Sequence, residues 1–343
     1  MKSAHLKSQS QNHQLGSKAM VHELHADNSC TSLLAFCKAS AEQMRLDILR
    51  VLSRDSFGVL ELCRIFDCKQ SGISHHLKIL ANAGLVLRRR EGNSIFYRRA
   101  HSVNSGEFAG LKKELFQAVE LLPLSEDTEQ RLSMIRQERA EQGQSFFREN
   151  ADKFSQQQEQ VASYELYAPN AKELLASIAN NCSTVLEIGP GEGAFLVELA
   201  NQFSTVIALD NSPLMLDKAR QFAASAMLSN IEFIQGDTKH PAIKDRVIDC
   251  VVMNMVLHHV PSPAEVLFDI ATILKPGGQL FITELCSHDQ SWVKESCGDL
   301  WLGFDPDDLG DWAQSAGFKE GESVYLAQRN GFRVQIRQFL KYS

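Results

Sequence analysis

The chain has 343 residues, 44% of them apolar, and a net charge of −7, enough length for two domains that each bury a core. Its eight cysteines contain no CxxC, the first 18 residues lack an apolar h-region, and no apolar run approaches the roughly 20 residues that cross a bilayer. No disulfide framework, signal peptide or membrane span is therefore expected, whereas a soluble cytoplasmic protein with reduced thiols is.

The charge is unevenly spread. Residues 30–105 hold 12 Lys/Arg against 6 Asp/Glu, whereas 106–343 hold 20 against 34. A basic module on an acidic body implies an anionic partner for the module alone. Residues 1–29 are polar and read as a flexible tail. His22 and His25 stand at helical spacing there with Cys30 nearby, so a metal site is the alternative to a solvated segment.

From Thr31 to Ser53 the apolar residues recur at three and four, which predicts two amphipathic helices. Val59 to Phe66 predicts a third, "DCKQ" (67–70) a turn, and Ser71 to Ala83 a fourth helix with Ile73, Leu77 and Leu80 inward. Gly84 stands where a helix needs a left-handed residue. "LVLRRR" and "SIFYRR" then alternate as two strands around "EGN" (91–93). Residues 30–105 thus describe an α+β winged helix-turn-helix. The fourth helix would bring Lys69, Gln70, Ser71, Ser74 and His75 to base edges in a major groove. The hairpin would bring Arg88, Arg89, Arg90, Arg98 and Arg99 to phosphate or minor groove. A solvated basic face is the bland alternative.

The run "LAFCKASAEQMRLDILRVL" through "QSGISHHLKILANAGLVLRRREGNSIFYRR" resembles the ArsR/SmtB family of bacterial repressors over about 75 residues. The resemblance implies operator DNA as partner and a homodimer. It does not extend to metal sensing. The positions matching the family's thiol ligands are Gly58, Leu60 and Cys63, and the helix after the wing, 107–122, lacks histidine, so no metal is assigned. In that helix Phe108, Leu111, Leu115, Val119 and Leu122 form a stripe, which the resemblance places at the dimer interface; packing on its own domain is the alternative. Residues 123–160 are charged and Gln-rich, with Pro123 as a break and Ser125 opening a solvated connecting helix. Residues 106–164 are read as dimerisation and connecting helices. "SFFRENADKF" (145–154) can cap the next domain.

"TVLEIGPGEGAFLVELA" (184–200) is a strand, a glycine-rich turn and a helix start. By itself it also fits a dinucleotide fingerprint, and Asp210 after "TVIAL" suits a ribose in either case. Glu187, two residues before the first glycine, would repel a pyrophosphate but suits an ammonium and a sulfonium. "IEFIQGD" (231–237) ends in Asp237, placed to accept from an adenine amino group. "VIDCVVMNMVLHHV" and "LKPGGQLFITE" add a fourth strand, a helix and a fifth strand. "YLAQRNGFRVQIRQFL" predicts an antiparallel pair turning at Asn330 and Gly331.

Together these resemble the class I S-adenosylmethionine-dependent methyltransferases, most like the ubiquinone/menaquinone methylases, over about 165–340. The resemblance implies an α/β Rossmann-like domain, 165–343, with a mixed seven-stranded sheet. It implies S-adenosylmethionine as cofactor, held by Glu187, Gly189, Pro190, Gly191, Gly193, Asp210, Asn211, Gly236, Asp237, Thr238 and Asn254. His258, His259 and Tyr164 are the candidates for a catalytic base. Tyr164, Tyr167 and the Phe residues of 146–154 could form a lid or a cage for the sulfonium; ordinary packing is the alternative for each.

Asn254, Met255, Val256 and Leu257 stand where amino-methylating DNA enzymes carry a Pro-Pro-aromatic motif, so a small-molecule acceptor is expected, with DNA as the address. Cys182, Cys250, Cys286 and Cys297 do not form the paired thiols of arsenite methylases. The expected whole is a DNA-binding regulator with a small-molecule methyltransferase domain. The alternative is a repressor that senses S-adenosylmethionine or S-adenosylhomocysteine without turnover.

Overall fold

The computed structural model describes residues 30–92, 94–100, 108–176, 182–244 and 246–342, without the side chains of 151–155. The expected tail, with His22 and His25, lies outside the described residues, as do Asn93 of the hairpin turn and the Phe154 side chain. Two compact units emerge. One takes the described residues up to Ser53 with Phe57–Arg89 and Tyr97–Ser125; the other takes Arg54–Ser56, Arg90–Phe96 and Glu126 onward.

In the first unit, helix α1 covers 30–40 and α2 covers Gln43–Val51. The Glu42 carboxylate starts α2 by accepting from the backbone N–H of Met44 and Arg45 at 3.2 and 3.1 Å. Helix α3 covers Val59–Phe66 and α4 covers Gln70–Asn82. Ile73, Leu77 and Leu80 of α4 are fully buried, as their spacing predicted. The helix stops because Gly84 turns left-handed (φ +65°) and the Leu85 N–H bonds the Leu80 carbonyl at 2.9 Å. Strands β1 (Phe57–Gly58), β2 (Val86–Glu91) and β3 (Ser94–Arg99) form a small sheet in the order β1-β3-β2.

Helix α5 covers Ala109–Glu120, and its buried residues are Phe116 and Val119. This differs from the expected stripe. Phe116 turns into the core, while Leu111 and Leu122 are 43% and 38% exposed. The helix is rotated so that half of the predicted face packs on its own domain and half does not.

The second unit opens with α6, one unbroken helix over Glu126–Val161, and α7, Tyr164–Ala176. The expected solvated connector is instead part of this unit. Leu132, Ile135 and Arg139 of α6 are all buried, because a helix this polar still carries one inward stripe at helical spacing. The sheet contains β4 (Thr184–Ile188), β5 (Thr205–Asp210), β6 (Ile231–Gln235), β7 (Ile248–Asn254), β8 (Leu274–Leu285), β9 (Phe318–Ala327) and β10 (Arg333–Lys341). Its order is β6-β5-β4-β7-β8-β10-β9, parallel except that β10 runs against both β8 and β9. Helices α8 (Leu196–Gln202), α9 (Pro213–Ser225), α10 (Pro241–Lys244), α11 (Pro263–Ile273), α12 (Trp292–Ser296) and α13 (Pro306–Ser315) complete it.

The central strands are apolar at nearly every position because both faces are covered. Val185, Val206 and Cys250 pack with Leu174 and Leu196 on one face. Leu186, Ile207 and Val251 pack with Leu267 and Ile270 on the other. The β9–β10 turn is longer than the tight hairpin predicted. The Asn330 side chain accepts from the Phe332 N–H at 3.1 Å and donates to the Gln160 carbonyl at 2.8 Å, so it spans a wider loop and ties it to α6.

The entry to β4 is held by Asp249, whose Oδ2 accepts from the N–H of Ser183 and Thr184, each at 2.8 Å, beside the Lys275 ammonium. Burial opposes its charge, but the Lys275 and backbone donors outweigh burial and lower its pKa. Asp249→Ala is expected to cost about 1–3 kcal/mol in urea unfolding, because two backbone N–H groups lose their acceptor. That contribution is present above the carboxylate's unfolded pKa and is lost as the pH falls through the depressed value.

Candidate functional site

The strand order reverses at β4, with β5 on one side and β7 on the other, and a crevice opens at the carboxyl ends of such strands. A cavity of about 880 Å³ lies there. Each strand delivers polar groups to it as it ends. Glu187 comes from β4, Asp210 from β5, Gly236 and Asp237 from the end of β6, and Asn254 from β7.

Glu187 is 1% exposed, and its Oε2 has no hydrogen-bond partner among the described residues; the same holds for Asn254 Nδ2 beside it. Burial pushes the Glu187 carboxyl up to about 8, opposed by the Asn254 side chain and reinforced by Asp210. Burial likewise lifts Asp210 to about 6, against the backbone N–H groups of Ser212 and Asn211. Orphaned buried polar atoms are costly. The Asn254 amide lies close enough to favour the Glu187 carboxylate, yet neither Glu187 Oε2 nor Asn254 Nδ2 completes a hydrogen bond among the described residues, so a ligand at this strand end has both an acceptor and a donor to meet.

The glycine turn keeps this corner open. Gly189 has φ +67°, and a Cβ there would stand 2.6 Å from a methyl of Val256. A Cβ on Gly191 would meet no heavy atom within 4 Å, so the space above it is free for a ligand. Directly after Asn254, Met255 holds a left-handed φ of 57°, fixed by its N–H to the Thr283 carbonyl at 2.8 Å. Strained non-glycine backbone of this kind clusters at working sites.

Of the residues assigned from sequence to the cofactor, Glu187, Gly189, Pro190, Gly191, Asp210, Asn211, Gly236, Asp237, Thr238 and Asn254 all line the cavity. Gly193 does not. Its φ is +92° and a Cβ would lie 3.1 Å from the Ala219 Cα, so it serves the approach of α9 instead. Asp237 is exposed and its Oδ1 accepts from the Lys239 N–H at 2.9 Å. Thr238 donates to Asp269 at 2.7 Å.

The three candidate bases separate. Tyr164 and His259 line the cavity, while His258 stands behind the wall, 1% exposed. Burial and the carboxylates of Glu198, Glu187 and Glu165 raise the Tyr164 pKa, so the phenol keeps its proton. Its ring meets Tyr167 edge-on at 5.8 Å. His258 Nδ1 faces Glu284 Oε1 at 2.6 Å. Burial disfavours its charge, but Glu284 and Asp299 prevail and lift its pKa to about 9. His259 is driven well below the usual histidine value by burial and by His258. Phe147 meets the His259 ring at 5.0 Å and lines the cavity with it.

Sequence reasoning missed one wall of the cavity. Ser133, Arg136, Ala140 and Gly143 of α6 line it at steps of three and four, leading to Phe147, which the sequence reading had assigned to a lid or cage with Tyr164 and Tyr167. The signal was available: small residues at helical spacing inside an otherwise charged helix. Glu284 and Asp299 were also missed, because nothing in their local sequence announces that they face His258.

In the first unit Lys69, Gln70, Ser71, Ser74 and His75 are all exposed along the start of α4, opposite its buried stripe. Arg88 is exposed and Arg89 and Arg98 are half-buried. Arg99 is taken up by its own domain, paired with Glu120 and 4.5 Å over the Phe116 ring. Arg90, assigned to the second unit, donates its Nε to the Gly92 carbonyl at 3.0 Å.

Comparison with known proteins gives two family matches. Residues 42–87 match the family model described as bacterial regulatory protein, arsR family, and 186–282 match the methyltransferase domain. A ubiquinone biosynthesis O-methyltransferase of Salmonella arizonae is 31% identical over 119 residues, 34% of this chain and 49% of that protein. An arsenite methyltransferase of Halobacterium salinarum is 31% identical over 105 residues, 30% of this chain and 27% of that protein. The N-methyltransferase NodS of Bradyrhizobium japonicum, solved with S-adenosylhomocysteine, is 19% identical, with 55% of this chain and 98% of that one covered at a TM-score of 0.44. The chain spans about half or less of the length of these two curated relatives.

Proposed function

Starting from a chain that joins an arsR-family helix-turn-helix segment to a methyltransferase domain, we propose a DNA-binding transcriptional regulator whose second unit methylates a small molecule. S-adenosylmethionine is the cofactor. The observation that carries this reading is the unmatched pair at the strand ends, Glu187 Oε2 and Asn254 Nδ2. An α-amino acid end offers an ammonium to the first and a carboxylate to the second, and Asp210 suits a ribose diol. A dinucleotide would instead bring its pyrophosphate to the buried carboxylate of Glu187.

When bound, the cofactor supplies a methyl group on a positively charged sulfur. The chain's part is to place and enclose. Glu187, Asn254 and Asp210 fix the donor, the Gly189–Gly191 backbone lets it approach, and the α6 wall with Tyr164 and Tyr167 limits water. Holding two reactants at attack distance supplies much of such a reaction's acceleration.

The addressing role rests on the exposed polar start of α4 and on the basic hairpin. Arg88→Ala is expected to weaken binding evenly across DNA sequences and to reduce the salt slope of log K by about 1, measured by fluorescence anisotropy over a salt series. Exposed Leu33, Leu34, Leu111, Leu121 and Leu122 on the first unit support a homodimer.

The deciding experiment is calorimetry of the full chain with S-adenosylmethionine and S-adenosylhomocysteine, followed by transfer of labelled methyl to a small-metabolite extract. Labelled product supports turnover. Cofactor-dependent DNA binding without product supports the sensing alternative. Absence of heat with either compound overturns both.

A further inference from the structure

Beside the cofactor crevice, His258, His259 and Asp299 bring one donor atom each within 4.8 Å of one another. We propose that these three side chains bind a divalent transition-metal ion of the zinc type. The site lies wholly in the second unit, and its occupancy does not depend on methyl transfer.

Two of the three ligand groups, His258 and Asp299, are buried with unmatched polar atoms. His258 and Asp299 are 1% and 4% exposed. Neither oxygen of Asp299, nor Nε2 of His258, has a hydrogen-bond partner among the described residues. Nε2 stands 4.0 Å from Asp299 Oδ1. That is too long for a hydrogen bond, and roughly half an ångström more than the separation two ligands keep on one tetrahedral ion at about 2.0–2.2 Å from each, so a small turn of the Asp299 carboxylate brings both groups onto one ion. Leaving a desolvated carboxylate unmatched is expensive, and a cation between the two groups removes the cost.

The far sides of the rings are arranged as they are in ligating histidines. Such a histidine gives its other ring N–H to a carboxylate or a backbone carbonyl, which fixes its tautomer and orientation. His258 Nδ1 faces Glu284 Oε1 at 2.6 Å, and His259 Nδ1 faces the Gly298 carbonyl at 3.3 Å. Glu284 is itself held, accepting from the N–H of Leu285 at 2.6 Å and of His258 at 3.2 Å. Two imidazoles and one carboxylate favour zinc, cobalt or nickel over magnesium or calcium, which prefer oxygen alone. Three protein ligands leave a fourth position for water or a substrate atom. His259 also lines the cavity, so that position borders the space available to an acceptor.

The test uses the full chain, stripped with a chelator and titrated with Co²⁺ by visible absorption and with Zn²⁺ by calorimetry. One equivalent of ion is expected, with a ligand-field band and no thiolate charge-transfer band. Glu284→Gln, which changes only the support behind His258, should weaken binding about 10- to 100-fold. Asp299→Asn and His259→Gln, each checked for folding by thermal melting, should weaken it at least as much. No uptake by the stripped protein overturns the proposal, and so does an affinity unchanged in His259→Gln and Asp299→Asn, which would place the ion on the cysteines.

Discussion

Glu187→Gln is expected to weaken S-adenosylmethionine binding roughly 100-fold while leaving the fold intact. The substitution keeps the shape and removes the charge that an ammonium would meet in a buried place. A hydrogen bond to a charged group contributes about 1.5–3 kcal/mol, or about 10- to 150-fold in affinity. The pH dependence gives a second readout. Free Glu187 is protonated below about 8 because burial disfavours its charge, whereas the bound form needs the carboxylate.

Affinity should therefore rise with pH by about tenfold per unit towards pH 8. Beyond that it should fall, as the ligand's own α-amino group, of pKa near 7.7–8.0, loses its proton. Calorimetry in buffers of different ionisation heat should show proton release at pH 7, and Glu187→Gln should abolish it. A flat profile, or unchanged affinity in the variant, would show that this carboxylate does not hold the ligand. Stability of the ligand-free protein runs the other way. A carboxyl raised in the folded state stabilises it fully below its unfolded value near 4.5, and that stability is lost as the pH rises through about 8.

Gly189→Ala should damage stability and binding together. The position holds φ +67°, and the new Cβ would lie 2.6 and 3.0 Å from the two methyls of Val256. Left-handed backbone costs an L-residue about 1–2 kcal/mol, and overpacking adds about 1–3 kcal/mol. A loss of roughly 2–5 kcal/mol in denaturant unfolding of the second unit is expected from these two costs, with binding reduced at least tenfold by the shift of β4's end. Gly191→Ala separates the two effects. It shares the left-handed backbone, φ +56°, but its Cβ would meet nothing within 4 Å. It should cost about 1–2 kcal/mol at most, while obstructing the ligand. Equal destabilisation by both variants would contradict this account of the turn.

Much of this was legible in one dimension, for a local reason. The α3 helix, the buried stripe of α4 and the stop at Gly84 each follow from the placing of residues within a few positions of one another. The strand, glycine turn and helix around Glu187 are local in the same sense. The strand-end residues Asp210, Asp237 and Asn254 could be named because parallel strands all end on one side of the sheet.

The order of residues was thus sufficient for the strands of the large sheet, their succession and the strand ends that carry polar groups, but not for the short elements β1, α10, α12 and α13 or for α7. Which face of α5 and α6 is buried had to wait for the folded chain, because burial belongs to a pair of surfaces and not to one. Folding turned Phe116 inward and left Leu111 out, set the polar helix α6 against the cavity, and gave Gly193 to helix packing and Arg99 to Glu120. It also brought Asp299 across 41 positions to His258. A contact of that range leaves no periodicity behind, since both residues sit outside the long helices and strands, in segments whose meeting is fixed by the sheet beneath them.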